Sequence, residues 1–218
     1  SLQGGSARGG NFDPTIGGPG WAEGWLDWTT LSDNTNTAFL NTDHYARLAA
    51  YLAHSASVFK CPADNFLSAL QQARGWSQRS RSYSGNLGIG QGNAESGPWS
   101  AIYKHCTKLK EIPSPANTWV FIEEHPDSIN DPGFFNPQTA TSMTDTPSTL
   151  HNDACSLSFA DGHAEIHQWQ GCLTSTRALQ VHARDGDYLN NTLSAQVGDP
   201  DIHYLSAHAG LVNASVSY

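Results

Sequence analysis

The chain has 218 residues, enough to bury a sizeable core, and one domain is the default. Charged residues make up only 14% and the formal net charge is −9, which excludes the basic footprint that nucleic acid requires and leaves cations permitted. Few charges beside plentiful Gly, Ser, Thr, Asn and Trp suit a loop-rich extracellular protein better than a cytosolic helical one.

Residues 1–20 are rich in Gly and Ser and hold little to bury, which predicts an arm lying on the surface of a single globular domain spanning 21–218. Trp21, Trp25 and Trp28 follow at helical spacing, either packed into a core or lid or forming a sugar-stacking platform. Asn41-Thr42-Asp43 offers an N-cap, and Tyr45, Leu48, Ala49 and Leu52 recur at i, i+3, i+4 and i+7, predicting an amphipathic helix from 43 to about 53. Val58 to Cys61 reads as a short strand stopped by Pro62, and Asp64 to Arg74 as a second helix ended by Gly75.

Ser82 to Asn86 is extended. The Gly88, Gly90, Gly92 run after it lacks the Lys-Ser/Thr and the following helix of a phosphate loop. Thr118-Trp119-Val120-Phe121-Ile122 is strongly β-forming and is expected as the central strand. From His151 to Trp169, two alternating runs flank Asp161-Gly162, a pair suited to the type I′ turn of a tight hairpin. Its expected register sets Ala160, Ser158 and Ser156 opposite His163, Glu165 and His167 on a polar face. Phe159 and Leu157 would then oppose Ala164 and Ile166 on the core face. Asp199 to Leu205 closes the pattern as a short helix or turn capped by its aspartates.

Cys61, Cys106, Cys155 and Cys172 are even in number and lack zinc-motif spacing. One or two disulfides in an oxidising compartment are expected; the competing reading is four unpaired thiols. No apolar run is long enough to span a membrane and no signal peptide is visible, so with Ser as first residue a processed or truncated chain is expected.

Polar chemistry concentrates in Glu123 to Asp131 and His151 to His167. Imidazoles and carboxylates bind zinc and related metals, for which Glu124, His125, His151, Asp161 and His163 are the candidates. Asp127, Asn130 and Asp131 offer the hard oxygens that calcium takes. The structural alternatives are a turn aspartate at 161, caps around Pro126 and Pro132, a hairpin base pinned by His151, and a solvated face at Glu165 and His167. An enzymatic reading would use Glu123 or Glu124 with Asp161 as an acid/base pair, with His151 beside them, or Ser128 or Ser158 with His151 and an Asp as a triad. Neither a Gly-x-Ser-x-Gly elbow nor His-Glu-x-x-His is present. A glycan- or protein-binding module is the third class.

His151, nine residues, then Asp161-Gly162 resembles the C-terminal motif of prepilin-type, pseudopilin-like proteins of the planctomycete and verrucomicrobial kind. Phe59-Lys60-Cys61-Pro62-Ala63-Asp64 is similar to the family's Phe-x-Cys-Pro-x-Asp element, and Arg81-Ser82-Tyr83-Ser84-Gly85-Asn86 to its Arg-Ser-Tyr-x-x-Asn element. Glu124 to Asp131 and Asp199 to Leu205 also resemble family segments, so the ordered set covers most of residues 40–205. The resemblance implies an α+β, pilin-like globular head, with a small antiparallel sheet packed on one main helix. It also implies a subunit of a type II secretion pseudopilus or surface filament, periplasmic or extracellular, anchored in the full-length protein by an apolar N-terminal helix that this chain lacks. Partners would be other pilin-like subunits, secreted cargo or glycans, without nucleic acid, and a loop-bound calcium becomes more plausible. The alternative on the same head is a secreted polysaccharide hydrolase, metal-dependent or built on a carboxylate pair.

Overall fold

The computed structural model describes residues 20–90, 105–137, 139–184 and 193–210. Its frame is a five-stranded sheet of β1 (Tyr83–Asn86), β2 (Trp119–Glu123), β3 (Gly133–Phe134), β5 (Ala154–Phe159) and β6 (Ala164–Gln168), in the order β3-β1-β2-β5-β6. Its pairings are antiparallel except β1 with β3. β4 (Ser142–Met143) and β7 (Leu193–Ser194) form a separate antiparallel pair. The helices are α1 (Ala38–Asn41), α2 (Ala69–Ala73), α3 (Thr176–Leu179) and α4 (Pro200–His208). None among the described residues is long and apolar enough to cross a membrane. The class is α+β, as expected.

The β-branched and aromatic run at 118–122 does become the central strand. Between Trp119 and Phe121 the β2–β5 register shifts by one residue, a bulge that lets Trp119 and Ile122 join one core while Phe121 turns to the other. The first core gathers Trp119, Ile122, Cys155, Leu157, Phe159 and Trp169 under Ile202 and Leu205 of α4. The second lies on the opposite sheet face, where Trp21 packs edge-on against Phe121 with ring centroids 4.9 Å apart and against Phe59 at 5.0 Å. Trp21 and Trp28 are fully buried and Trp25 is half-buried, so two of the three rings are core and offer no face to a sugar. α4 begins as its sequence predicts, with the Asp199 carboxylate accepting from the Asp201 and Ile202 N–H groups.

Several expectations are corrected. Residues 43–53 form turns and a 3₁₀ turn (Ala50–Leu52), not a helix. The Arg47 N–H, which a helix would direct to residue 43, bonds Gly20 O at 2.9 Å instead, and Ala53 and His54 adopt positive φ. Leu48 and Leu52 still pack inward, so the apolar stripe faces the core on a backbone of turns rather than a helix. The main helix is therefore α4, at the other end of the chain. No strand forms at 58–61, where a 3₁₀ turn (Ser57–Phe59) precedes Cys61. The second helix shrinks to α2, opened by a capping box between Ser68 and Gln71.

The hairpin forms, but one residue out of the expected register. Observed partners are Ser158 with Ala164, Leu157 with Glu165, Ser156 with Ile166 and Cys155 with His167. The Phe159 N–H bonds His163 O and the Gly162 N–H bonds Phe159 O, leaving Ala160, Asp161 and Gly162 as a three-residue loop. Gly162 alone in that loop has positive φ (98°). Asp-Gly thus serves a type I turn closed by a left-handed glycine rather than a type I′ turn. The shift exchanges the faces of β6. Ile166 points out, 66% exposed, while Glu165 and His167 share the face covered by α4. There Tyr204 stacks on His167 with ring centroids 3.4 Å apart and donates its hydroxyl to Glu165 at 2.5 Å.

All four cysteines are buried and none is joined in a disulfide, so the expected disulfides are not formed. The arm at 1–20, apart from Gly20, and the glycine run beyond residue 90 lie outside the described residues.

Candidate functional site

The 59–64 loop, the 81–86 segment, Glu124 and the hairpin base meet around the end of β2. Ser82, just before β1, donates its N–H to Phe59 O at 2.8 Å and its hydroxyl to Asp64 at 2.7 Å, while accepting the Cys61 N–H at 3.2 Å. Asp64 also accepts from Lys60 Nζ at 2.7 Å and is held below its ordinary pKa against burial by Arg79 and Lys60. The Glu124 N–H bonds Ser82 O, extending the β1–β2 pairing by one residue. At the hairpin base the His151 N–H bonds Ala154 O.

Glu123 and Glu124 are both buried but engage different partners. Glu123 lies on the Phe121 face, where its Oε2 is 2.8 Å from His151 Nε2 and 3.4 Å from the Ser156 hydroxyl. Cys61 Sγ stands 3.4 Å from the same His151 nitrogen. One donor atom from each of Cys61, Glu123 and His151 therefore falls within 4.8 Å of the others. Burial first, then the hydrogen bond to Glu123 and its charge, push the Cys61 thiol up to about 11, so it is protonated at neutral pH. That state is a poor nucleophile. Glu123 Oε1 is buried with no hydrogen-bond partner.

Glu124 accepts from the Ser128 hydroxyl at 2.7 Å, and burial pushes its carboxyl up to about 8. Asp145, which accepts the Phe135 N–H, is likewise raised by burial and by Glu124. His125 is buried, with Nδ1 accepting the Asp127 N–H at 3.1 Å. Burial, then Arg177 and Arg79, lower its pKa to about 3, which keeps the ring neutral and removes it from acid–base work near pH 7.

The remaining expected ligands lie elsewhere. Asp161 and His163 form an exposed pair at the hairpin tip, 2.6 Å apart. Six residues of β5 separate them from the base, roughly 20 Å at strand rise. The zinc-type set Glu124, His125, His151, Asp161 and His163 is therefore not gathered, and neither is the acid/base arrangement of Glu124, Asp161 and His151. Asp127 accepts the His182 and Ala183 N–H groups, Asn130 Oδ1 that of Asp131, and Asp131 Oδ1 that of Gly133. The oxygens expected for calcium thus brace backbone turns. Ser128 serves Glu124 and the Thr146 N–H, and Ser158 lies near the tip end of β5, away from the hairpin base, so neither builds a triad with His151.

A second group, Cys172, Asp199 and Asp201, is close enough to hold an ion but is otherwise engaged. Its carboxylate oxygens accept the N–H groups of Gln170, Gly171, Cys172 and Leu173, and a Cβ at Gly171 would sit 2.6 Å from Asp199 Oδ1. This is a clamp joining the segment after β6 to α4. Three clefts bounded by described residues, of about 750, 350 and 60 Å³, include none of Cys61, Glu123, Glu124, His125, His151 or Asp161 in their walls.

The sequence marks His151 as a candidate ligand, but it points Cys61 toward disulfides and Glu123 only toward acid/base pairing. The alternation of β2 offered the one usable signal, since it sends 123 and 124 to different faces. Compared with known proteins, the chain matches no family model, no curated protein and no solved structure.

Proposed function

We propose that the chain is the globular head of a pseudopilin-like structural subunit, carried on an external or periplasmic filament and contacting neighbouring subunits or cargo. The observation that carries this reading is the use made of the motif residues and of Glu123 beside them. Phe59, Cys61, Asp64, Ser82, Glu123 and His151, distant in sequence, tie the 59–64 loop, β1, β2 and the hairpin base to one another. An enzyme would turn such residues toward a cleft; here they brace a frame. The hydrolase alternative is weaker, because Asp161 at the hairpin tip lies roughly 20 Å from the Glu123–His151 pair, too far to complete a carboxylate pair.

The test is the location of the native gene product. A leader followed by about 20 apolar residues upstream of Ser1, and recovery of the chain in sheared surface filaments, is the expected result. A cleavable secretory signal with the chain free in the medium and polysaccharide hydrolysis in its purified form would overturn the proposal.

A further inference from the structure

We propose that Cys61, Glu123 and His151 form a binding site for a thiophilic divalent cation of the zinc class, set where the 59–64 loop, β2 and the hairpin base meet. Three features of the trio converge on this. The ligand types are a thiol, an imidazole and a carboxylate, the set that zinc takes and that calcium and magnesium, which prefer all-oxygen shells, do not. The spacing is near that of a tetrahedral face. At zinc bond lengths the sulfur–nitrogen and nitrogen–oxygen edges are about 3.6 and 3.3 Å, against 3.4 and 2.8 Å between the atoms here. Along these two edges an ion needs a spreading of only a few tenths of an ångström, and the third edge lies within 4.8 Å.

The third feature is an unexplained one. Glu123 Oε1, on the carboxylate whose Oε2 meets His151, is buried and accepts no hydrogen bond, an arrangement that costs free energy unless a positive charge completes it. His151, with its side chain 30% exposed, supplies the way in, while Cys61 and Glu123 are closed off. Binding removes one proton, that of the Cys61 thiol, to solvent. The proton that His151 Nε2 shares with Glu123 leaves that nitrogen, and the neutral ring keeps one on Nδ1 so that Nε2 can give its lone pair to the ion. A buried thiol that resists ionisation by itself is deprotonated by the cation it binds. Such an ion would fasten the same three segments that the hydrogen bonds already join, and the site stands or falls independently of the filament reading.

The test is titration of the purified full chain, under reducing conditions, with cobalt(II) as a spectroscopic stand-in for zinc. A near-ultraviolet thiolate-to-cobalt band saturating at one equivalent, displaced by zinc and unaffected by excess calcium, is the expected outcome. Cys61→Ser should abolish the band and His151→Gln weaken binding by more than about tenfold, whereas Cys172→Ser should leave both unchanged. Far-ultraviolet circular dichroism checks that each variant is folded. Absence of the band in the unaltered chain would overturn the site without recourse to any variant. So would a band that survives Cys61→Ser, or one that calcium displaces.

Discussion

The two ends of the β5–β6 hairpin carry the same kind of pair in opposite settings. At the base, His151 and Glu123 approach to 2.8 Å with the carboxylate fully buried. At the tip, His163 and Asp161 approach to 2.6 Å with both side chains about two-fifths exposed. The shorter distance belongs to the pair that matters less to the fold. Water screens the tip pair and would replace either partner, whereas at the base removing one partner strands a desolvated charge. Proximity ranks the two ends one way and solvent exposure the other, and exposure decides.

The largest expected effect follows from that contrast. His151→Ala should lower the unfolding free energy by roughly 1–3 kcal/mol, read from the urea midpoint, because Glu123 keeps its burial and loses its imidazole. A loss no greater than that of a tip substitution would erase the distinction. Next comes a pH dependence from the other carboxyl at the end of β2. Glu124 titrates near 8 when folded against 4.5 in its ordinary state, so its contribution is complete below 4.5 and lost as pH rises through about 8. Glu124→Gln should flatten the fall in urea midpoint across that window; an unchanged slope would show that another group causes it. His125 acts in the opposite sense, its contribution present above 6.5 and lost as pH falls toward about 3.

The tip supplies the smaller effects. Gly162→Ala should cost about 1 kcal/mol, since φ of 98° is strained for any residue with a Cβ even though nothing lies within 4 Å of one there. Thermal unfolding of the variant measures it, and no change in melting temperature would contradict the loop geometry. Asp161→Asn should leave the urea midpoint unmoved. A drop comparable to that of His151→Ala would mean that the tip is as structural as the base.

The sequence made legible what depends on local chemistry. The β-forming run of β2, the Asp-Gly reversal, the Asp199 cap of α4 and the inward stripe of Leu48 and Leu52 all follow from residues near one another in the chain. The misses share one cause, a local pattern compatible with two backbones. Asp-Gly fits a two-residue or a three-residue loop, and the choice moves every partner of β6 by one. The stripe at 45–52 fits a helix or a chain of turns, and a distant carbonyl, that of Gly20, decides between them by taking the Arg47 N–H. The trio at the base was least legible, because its members stand 62 and 28 residues apart and only the completed sheet brings them together.

The three-residue loop also constrains how this hairpin can change. Substitutions at Ala160 or Asp161 alter a solvated tip, but removing or adding one residue between Phe159 and His163 would invert the side-chain order of the whole returning strand. Ile166 would then face Tyr204 while Glu165 and His167 turned to solvent. At this turn the count of residues carries more information than their identity, so insertions and deletions should be far more damaging there than point changes.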